Sequence, residues 1–211
     1  MLKTFKKLST ARQHEIIDTT AEVFAENGYH GTSIPSICER TGISVGALYK
    51  YFKNKENIYV SVLQRGIDIV ENNLYNEVPE GETIYDALNI LFNGLLPFYE
   101  NYRQYIILYI DAGTFSMNQF SYAVTDRLEN MARTYHIGLV DKYKTMGSIS
   151  PDIDSAYIAY FIDTYLTLFS YSLVSEYYRR RFDLFFGIDS GVAKNQERIE
   201  IILKSLRLLL E

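Results

Sequence analysis

Apolar residues recur every three or four positions along most of the chain, which is the spacing that places them on one side of an α-helix. The first such series consists of Ile17, Ala21, Phe24 and Ala25. Thr10 and Gln13, three residues apart, have the form of a capping box in front of this series. Gly28 follows it and is suited to end a helix in the left-handed conformation. The pattern predicts a first helix over residues 11–27.

Two shorter helices are predicted next, with a tight turn between them. Thr32 or Ser33 can cap the second helix, and Gly42 is placed to close it. Ser44 can then cap a third helix over 45–52, with the sequence VGALYKYF. A helix, a tight turn and a second helix form the motif with which many proteins place a helix in the major groove of DNA.

The rest of the chain also follows helical spacing, and alternation typical of strands is not sustained anywhere. A fourth helix is predicted over 55–78, before the punctuating sequence VPEGE. Further helices are predicted over 83–100, 102–114, 119–146, 153–181 and 192–210. The predicted fold class is therefore all-α, with about nine helices. We expect an N-terminal three-helix helix-turn-helix domain at 1–54 and a C-terminal helical domain at 55–211.

Charge is distributed unevenly between these two parts. Residues 1–60 hold 8 Lys and Arg against 6 Asp and Glu, whereas residues 61–211 hold 13 against 20. The N-terminal part is therefore the better candidate to bind a polyanion such as DNA. Such binding depends on the charge of the local surface and not on the net charge of the whole protein. The single cysteine, Cys38, excludes an intrachain disulfide framework, and the N-terminus lacks the apolar core of a signal peptide. We expect a cytoplasmic protein.

A membrane segment is the alternative interpretation of one apolar run. Residues Ala156 to Val174 contain only one charged side chain, Asp163. A charge at the centre of a membrane helix costs about 3 kcal/mol, and Tyr, Thr and Ser are frequent in the rest of the run. A helix that is buried on all sides explains the run better, so we expect no membrane partner.

Catalytic and metal-binding patterns are missing from the sequence. His14, His30 and His136 are the only histidines, and none has the spacing of a zinc site. The sequence contains no nucleophile elbow, phosphate-binding loop or dinucleotide fingerprint. We therefore expect a protein that is not an enzyme and that holds neither a metal nor a cofactor.

The segment AEVFAENGYHGTSIPSICERTGISVGALYKYFKNKENIY closely resembles the N-terminal domain of the tetracycline-repressor (TetR) family of transcriptional regulators. The resemblance implies a three-helix DNA-binding domain, followed by a helical domain that dimerises and often binds a small effector. Its usual activity is repression. Cys38 departs from the family, which commonly has alanine there, and the small size of both side chains makes this departure inexpensive.

Candidate DNA contacts follow from the chemistry of this segment and from the resemblance. Lys55 beside the start of the fourth helix suits a phosphate, and serine hydroxyls at helix starts can also donate to phosphate. The resemblance implies that the hydroxyls of Tyr49 and Tyr51 contact DNA, because both residues match positions at which the family does so. Each residue alone is better explained as a cap or a solvated side chain, but their common placement on one surface reverses that preference in favour of DNA. The predicted contacts are Ser33, Ser36, Ser44, Val45, Gly46, Ala47, Tyr49, Lys50, Tyr51 and Lys55.

Fewer residues of this segment are candidates for recognising bases than for contacting phosphates. The residues from Val45 to Ala47 offer no side-chain hydrogen bond, but they permit close approach and contact with a thymine methyl. Lys50 is the candidate for a guanine edge. The N-terminal lysines Lys3, Lys6 and Lys7 could follow the DNA backbone or the minor groove as an arm.

Dimerisation is predicted from the last two apolar segments. The 153–181 segment and the final sequence IEIILKSLRLLL are too apolar for the surface of a monomer. We expect a homodimer through these last two helices, with four helices around a twofold axis, as the resemblance also implies. Such a dimer contacts a near-palindromic double-stranded operator when its two third helices lie about 34 to 36 Å apart.

A small-molecule site is predicted among the aromatic residues of the middle helices, although ordinary core packing explains any single one of them as well. Asp111 and Asp163 each interrupt an apolar run. Either could hold a cationic or hydroxylated ligand, or could face outward at the dimer rim. The candidates are Phe92, Tyr99, Tyr102, Tyr109, Asp111, Phe115, Tyr135, Phe161, Asp163 and Tyr165.

The sequence as a whole favours a dimeric, ligand-responsive DNA-binding regulator. We expect a repressor that an unidentified lipophilic or aromatic effector releases from a palindromic operator. The alternative is a helical small-molecule carrier or interaction protein that binds no operator.

Overall fold

The computed structural model describes residues 2–189 and 194–210, and within these ranges every regular element is helical. Short 3-10 helices span Phe5–Lys7 and Phe115–Phe120. The all-α prediction is confirmed for the described residues. The α-helices are α1 (Thr10–Gly31), α2 (Ile34–Thr41), α3 (Val45–Tyr51), α4 (Lys55–Asn73), α5 (Ile84–Ala112), α6 (Ser121–Thr145), α7 (Ser155–Val174), α8 (Glu176–Phe186) and α9 (Asn195–Leu210).

The described chain forms two compact units. Unit 1 contains the described residues up to Ile69 together with Gln104–Arg127, and unit 2 contains Val70–Arg103 together with the described residues from Leu128 onward. The boundaries fall inside α4, α5 and α6. The helices α1 to α3 therefore share a unit with most of α4 and with the segment around the Phe115–Phe120 helix. The predicted division of function at residue 54 stays a prediction.

Helix α1 begins one residue earlier than its sequence suggested. The Ser9 hydroxyl accepts a hydrogen bond from the Arg12 backbone N–H, so Ser9 is the cap and the prediction of Thr10 was wrong. Two neighbouring residues could both cap, and the sequence alone did not distinguish them. Gly28 has a φ of 67°, so the expected left-handed residue interrupts α1 at its C-terminal end.

The two short helices that follow have the predicted caps. Ser33 and Ser36 form a reciprocal capping box at the start of α2, and Gly42 ends α2 with a φ of 68°. The Ser44 hydroxyl accepts from the backbone N–H of Ala47 at 3.2 Å at the start of α3. Because each cap and the turn glycine are local signals, this part of the fold could be predicted closely.

Packing in this part of unit 1 depends on side chains at helical spacing. The largest buried residues present ring and branched side chains from all four of the first helices. They are Phe24, Ile37, Leu48, Phe52 and Tyr59. This core fixes the crossing of α2 and α3, and so it determines which side of α3 faces outward.

Several predicted helix boundaries beyond the helix-turn-helix differ from the structure. Helix α4 ends at Asn73 instead of residue 78, after a pair of asparagines, which are weak helix formers. The segments 83–100 and 102–114 form the single element α5, which is kinked at Tyr102.

The predicted 153–181 helix is broken at Ser175, where the backbone is extended, into α7 and α8. No glycine or proline marks this break in the sequence. Of the predicted helix over 192–210, residues 192 and 193 lie outside the described residues, and α9 occupies Asn195–Leu210.

Unit 2 is built around one apolar cluster. Its fully buried members come from α5, α6, α7 and α9, and include Phe92, Leu139, Tyr143, Ile162 and Ile199. An ion pair joins α8 and α9 at this core: Arg198 Nε donates to Asp183 Oδ1 and its Nη2 donates to Oδ2, both at 2.8 Å. Both side chains are buried. The pair fixes α9 against α8 in register.

Candidate functional site

The outward face of α3 presents the residues predicted to contact DNA. Val45 and Tyr49 lie one helical turn apart, with 45% and 50% of their surfaces exposed. Gly46 and Lys50 form the next row and are also exposed. An added Cβ at Gly46 would meet no atom within 4 Å, so close approach of a partner is unobstructed there. The structure therefore places four of the predicted residues on one free surface.

The serines at the helix starts are engaged in capping. The Ser33 hydroxyl accepts from the Ser36 backbone N–H at 3.1 Å, and the Ser36 hydroxyl donates to the Ser33 carbonyl at 2.7 Å. Ser44 caps α3 in the same way. Their hydroxyl oxygens lie at helix N-termini, where backbone N–H groups and the helix dipole favour a phosphate. Any contact with DNA there stays a prediction.

The N-terminal segment is anchored beside the end of α3. Phe5 is fully buried, and its ring lies 5.4 Å from the Tyr51 ring and 5.0 Å from the Phe52 ring. The Leu2 backbone N–H donates to the Tyr51 carbonyl at 2.9 Å. Sequence reasoning missed Phe5, although an isolated aromatic residue within a run of lysines was a usable signal. Its burial holds the basic N-terminal segment against the third helix.

The Lys55 side chain contacts the C-terminal end of α1. Its Nζ donates to the Thr32 carbonyl at 2.6 Å and lies 4.6 Å from the centre of the Tyr29 ring. Burial lowers the pKa of Lys55. Asn54 caps α4, since its side chain accepts from the Asn57 N–H at 2.8 Å. Lys55 therefore joins the first and fourth helices, and its contact with phosphate remains a prediction.

An aromatic cluster connects the first helix with the segment that follows α5, within unit 1. The rings of Tyr29 and Tyr59 both lie 4.8 Å from the ring of Phe120. The Tyr59 hydroxyl donates to Asp111 at 3.5 Å. Burial raises the pKa of Asp111, and the Tyr59 hydroxyl partly offsets that rise. Asp111 thus has a structural partner in unit 1 and does not face an open cavity alone.

The candidate effector residues do not form one group. Tyr109, Asp111 and Phe115 belong to unit 1, and the other seven belong to unit 2. The placement of Phe115 in the interior was wrong: it lies in a 3-10 helix and is 97% exposed. Phe161 is also exposed, whereas Phe92 is fully buried in the core of unit 2. The candidates are thus divided between two compact units, and their role in binding an effector stays a prediction.

Two other properties of the described chain bear on the kind of site. Among residues 2–189 and 194–210, no group of three or more His, Cys, Asp or Glu side chains is arranged to hold a metal ion. No helix in these ranges is long and apolar enough to cross a membrane.

Known proteins resemble the chain most clearly at its N-terminus. The profile of the family described as bacterial regulatory proteins, tetR family, matches residues 16–62. The chain is 33% identical over 79 residues to the fatty acid metabolism regulator protein of Bacillus subtilis (strain 168), which is 37% of this chain and 41% of that protein. The match thus spans less than half of that relative's length.

Two further similarities extend over more of the chain. It is 25% identical over 154 residues to the transcriptional repressor KstR2 of Mycolicibacterium smegmatis, which is 72% of this chain and 74% of that protein. The structure of the regulator FadR from Bacillus subtilis in complex with stearoyl-CoA has a TM-score of 0.65 at 19% identity, covering 90% of this chain and 96% of that one. This last likeness establishes the fold. The profile match over residues 16–62 identifies the N-terminal helix-turn-helix of this chain as similar to that of the tetR family of bacterial regulatory proteins.

Proposed function

We propose that the protein is a dimeric DNA-binding transcriptional regulator, and specifically a cytoplasmic repressor that a lipophilic or aromatic small molecule releases from a palindromic operator. The observation that carries this proposal is the free outward face of α3, with Val45, Gly46, Tyr49 and Lys50 on two adjacent rows. The relative KstR2 is a transcriptional repressor by name, which supports the sign of the regulation.

The residues of this face suit duplex DNA. Gly46 and Ala47 allow the helix to approach base edges closely, and Val45 offers a methyl group to thymine. Lys50 can donate to a guanine, while Tyr49 and Lys55 donate to phosphates. The segment anchored by Phe5 beside the end of α3 adds the exposed lysines Lys3, Lys6 and Lys7 as candidates for phosphate contact.

Exposed apolar side chains on the last three helices support a homodimer. Helix α7 packs against both α8 and α9. All three helices carry large apolar side chains that are exposed to solvent in the single chain. Exposed apolar surfaces of this kind mark interaction sites. The exposed side chains are Tyr157, Tyr160, Phe161, Leu168, Leu184, Phe185, Leu208 and Leu209. A second copy of the same helices would bury them around a twofold axis.

The proposed effector acts by shifting the spacing of the two α3 helices. A ligand that binds better to a dimer with separated heads lowers the population that fits the operator. Coupling of this kind is typically about 1 to 3 kcal/mol, which is a few-fold to a hundred-fold change in operator affinity. The stearoyl-CoA of the Bacillus subtilis FadR complex carries a long acyl chain and is consistent with a lipophilic effector class.

Selection of bound duplexes from a random pool tests this proposal. We expect the purified protein to recover a palindrome with half-site centres about one helical turn apart. Lys50→Ala is expected to relax the preference at one base position, whereas Lys55→Ala is expected to weaken binding to all sequences alike. Recovery of no sequence, at low ionic strength, would instead support a small-molecule carrier without an operator.

A further inference from the structure

His136 is a buried polar residue without a hydrogen-bond partner. It lies on α6 within unit 2, and its side chain is fully buried. Neither ring nitrogen has a hydrogen-bond partner among the described residues. Buried polar groups are almost always hydrogen-bonded, because the loss of hydration is otherwise not recovered on folding. A histidine in this position therefore points to a partner that is not part of the chain.

The surroundings of His136 combine aromatic rings and one carboxylate. The Tyr75 and Tyr135 rings each lie 5.4 Å from the imidazole, edge to face. Asp163 Oδ1 lies 3.4 Å from His136 Nδ1, and the Asp163 side chain is 27% exposed. The aromatic rings provide an apolar wall, and the carboxylate provides a polar end that reaches the surface.

The electrostatic character of this place is acidic. Burial is the main cause of the raised pKa of Tyr75, and the negative charges of Asp163 and Glu129 raise it further. Burial is also the main cause of the raised pKa of Tyr171, and the charges of neighbours that include Glu129 and Asp163 raise it further. An anionic head group is disfavoured here, because two carboxylates already act on the same side chains.

The position of Asp163, whose carboxylate lies nearest Nδ1, indicates which ring nitrogen of His136 is left to accept a hydrogen bond. A carboxylate facing Nδ1 favours the tautomer with the proton on Nδ1, so that Nε2 becomes an acceptor. A buried acceptor is satisfied by an O–H or N–H group of the ligand. A hydroxyl group meets this need without bringing a net charge into the interior, whereas an ammonium group would have to lose its hydration.

A groove lies along the chain segment that contributes Tyr75 to the surroundings of His136. It has a volume of about 640 Å³ and is lined by residues of the 73–80 segment and by Ile90, Leu91 and Gly94 of α5. This segment is not helical after Asn73. It is held where the Tyr135 hydroxyl donates to the Glu77 carbonyl at 3.0 Å. Leu74 and Asn76, on either side of Tyr75 in the chain, both line the groove, whereas the Tyr75 ring packs against His136.

We propose that His136, oriented by Asp163, is the hydrogen-bond acceptor of an effector site in unit 2 that binds a lipophilic molecule carrying an uncharged hydroxyl group. This inference rests on the proposed function, because it identifies the chemical class of the effector. Volumes of roughly 300 to 1,000 Å³ with few polar groups are usual for such sites. The proposal requires the Tyr75 ring to move off His136 when the ligand binds, so that the apolar part of the ligand occupies the groove and its hydroxyl group donates to Nε2.

Calorimetric titration of the full-length protein tests the site. The probes are 1-decanol, the bicyclic alcohol borneol, decanoate and decylamine. We expect at least one alcohol to bind saturably, and both charged probes to bind at least tenfold more weakly than 1-decanol. Failure of both alcohols to bind, or tighter binding of decanoate or decylamine, would overturn the proposal.

Variants at His136 separate recognition from folding. His136→Phe is expected to weaken alcohol binding at least tenfold and to keep or raise the Tm of the free protein, since it removes two unpaired nitrogens. His136→Gln restores an acceptor and should recover part of the affinity. His30→Phe, the same change at an exposed histidine, should leave alcohol binding unchanged. Unaltered alcohol binding in both His136 variants would contradict the assignment.

Operator binding is measured on the same preparations without ligand. A protein that binds its operator but no alcohol retains the proposed regulator function and refutes only the hydroxyl site. A protein that binds alcohol through His136 but no DNA supports the site and refutes the regulator. The two failures are therefore distinguishable.

Discussion

The hydroxyl of Tyr105 donates a hydrogen bond of 2.5 Å to the carboxylate of Asp18, joining residues that are 87 positions apart. Arg65 Nε donates to the same carboxylate oxygen at 3.2 Å. Burial and the Asp18 hydrogen bond raise the pKa of Tyr105, so this hydroxyl stays protonated and remains a donor. Within unit 1 the contact fastens the first helix to the C-terminal part of α5.

Gly66 makes this contact possible, and its replacement should break it. An added Cβ at Gly66 would lie 2.7 Å from Cδ1 of the Tyr105 ring. We expect Gly66→Ala to lower the free energy of unfolding by about 1 to 3 kcal/mol, because the ring must move away from Asp18. Urea denaturation followed by circular dichroism measures this change.

Gly138 provides the matched control for that substitution. It lies inside α6, and an added Cβ there meets no atom within 4 Å. Gly138→Ala should therefore stabilise the protein by about 0.5 to 1 kcal/mol through the better helix propensity of alanine. Equal effects of the two substitutions would show that the Tyr105 contact does not depend on Gly66.

The buried ion pair of unit 2 should be costly to break on one side only. Asp183→Leu leaves the Arg198 guanidinium without its bidentate partner in the core. We expect a loss of about 3 to 5 kcal/mol of unfolding free energy, and a much smaller loss when Asp183→Leu is combined with Arg198→Met. A double-mutant cycle by chemical denaturation measures both. Similar losses in the single and double variants would refute a specific pairing.

Phe5 should control the contribution of the N-terminal lysines to DNA binding. Phe5→Ala removes the ring that packs on Tyr51 and Phe52, so the lysines lose their fixed position. We expect weaker operator binding and a smaller dependence on salt, by about 0.9 in the logarithmic slope for each phosphate that the lysines no longer neutralise. Phe5→Leu keeps an apolar anchor and should retain most of the slope. An unchanged slope in Phe5→Ala would mean that the anchored lysines do not touch phosphate.

The free energy of unfolding should depend on pH through the ionisation of Asp111. Burial raises its pKa in the folded protein above 3.8, so its protonated form stabilises the fold and this contribution is lost as the pH rises through the raised pKa. Asp111→Asn keeps an acceptor for the Tyr59 hydroxyl but cannot ionise. We expect the variant to gain stability relative to the natural protein between pH 4 and pH 7. A difference that does not vary over this range would contradict the assignment.

The sequence predicted the helix-turn-helix closely and the later helices less well, for physical reasons. Caps such as Ser44 and the left-handed Gly42 act on their immediate neighbours, so their effect is visible in a short window of sequence. The break at Ser175 has no such signal. The exposure of Phe115 depends on the tertiary packing around a 3-10 helix, which the apolar pattern does not contain.

The candidate site likewise combines features that local sequence predicts with features that depend on tertiary packing. The outward face of α3 follows from helical spacing, and its exposed residues could be named from the sequence. The anchoring of Phe5 and the burial of His136 both depend on residues distant in the chain, and of the two only Phe5, an aromatic residue among lysines, left a signal in the sequence. The effector residues were chosen as aromatic residues of the middle helices, together with two aspartates that interrupt apolar runs, and core packing produces the aromatic pattern as well.

The proposed regulator function depends on α3 binding duplex DNA through phosphates and base edges. The most direct measurement is the affinity of the full-length protein for the selected operator, and for a scrambled duplex, across a series of salt concentrations. We predict tighter binding to the operator, and a linear fall of log affinity with log salt whose slope reflects several phosphate contacts. Equal affinity for both duplexes, with no dependence on salt, would contradict the account.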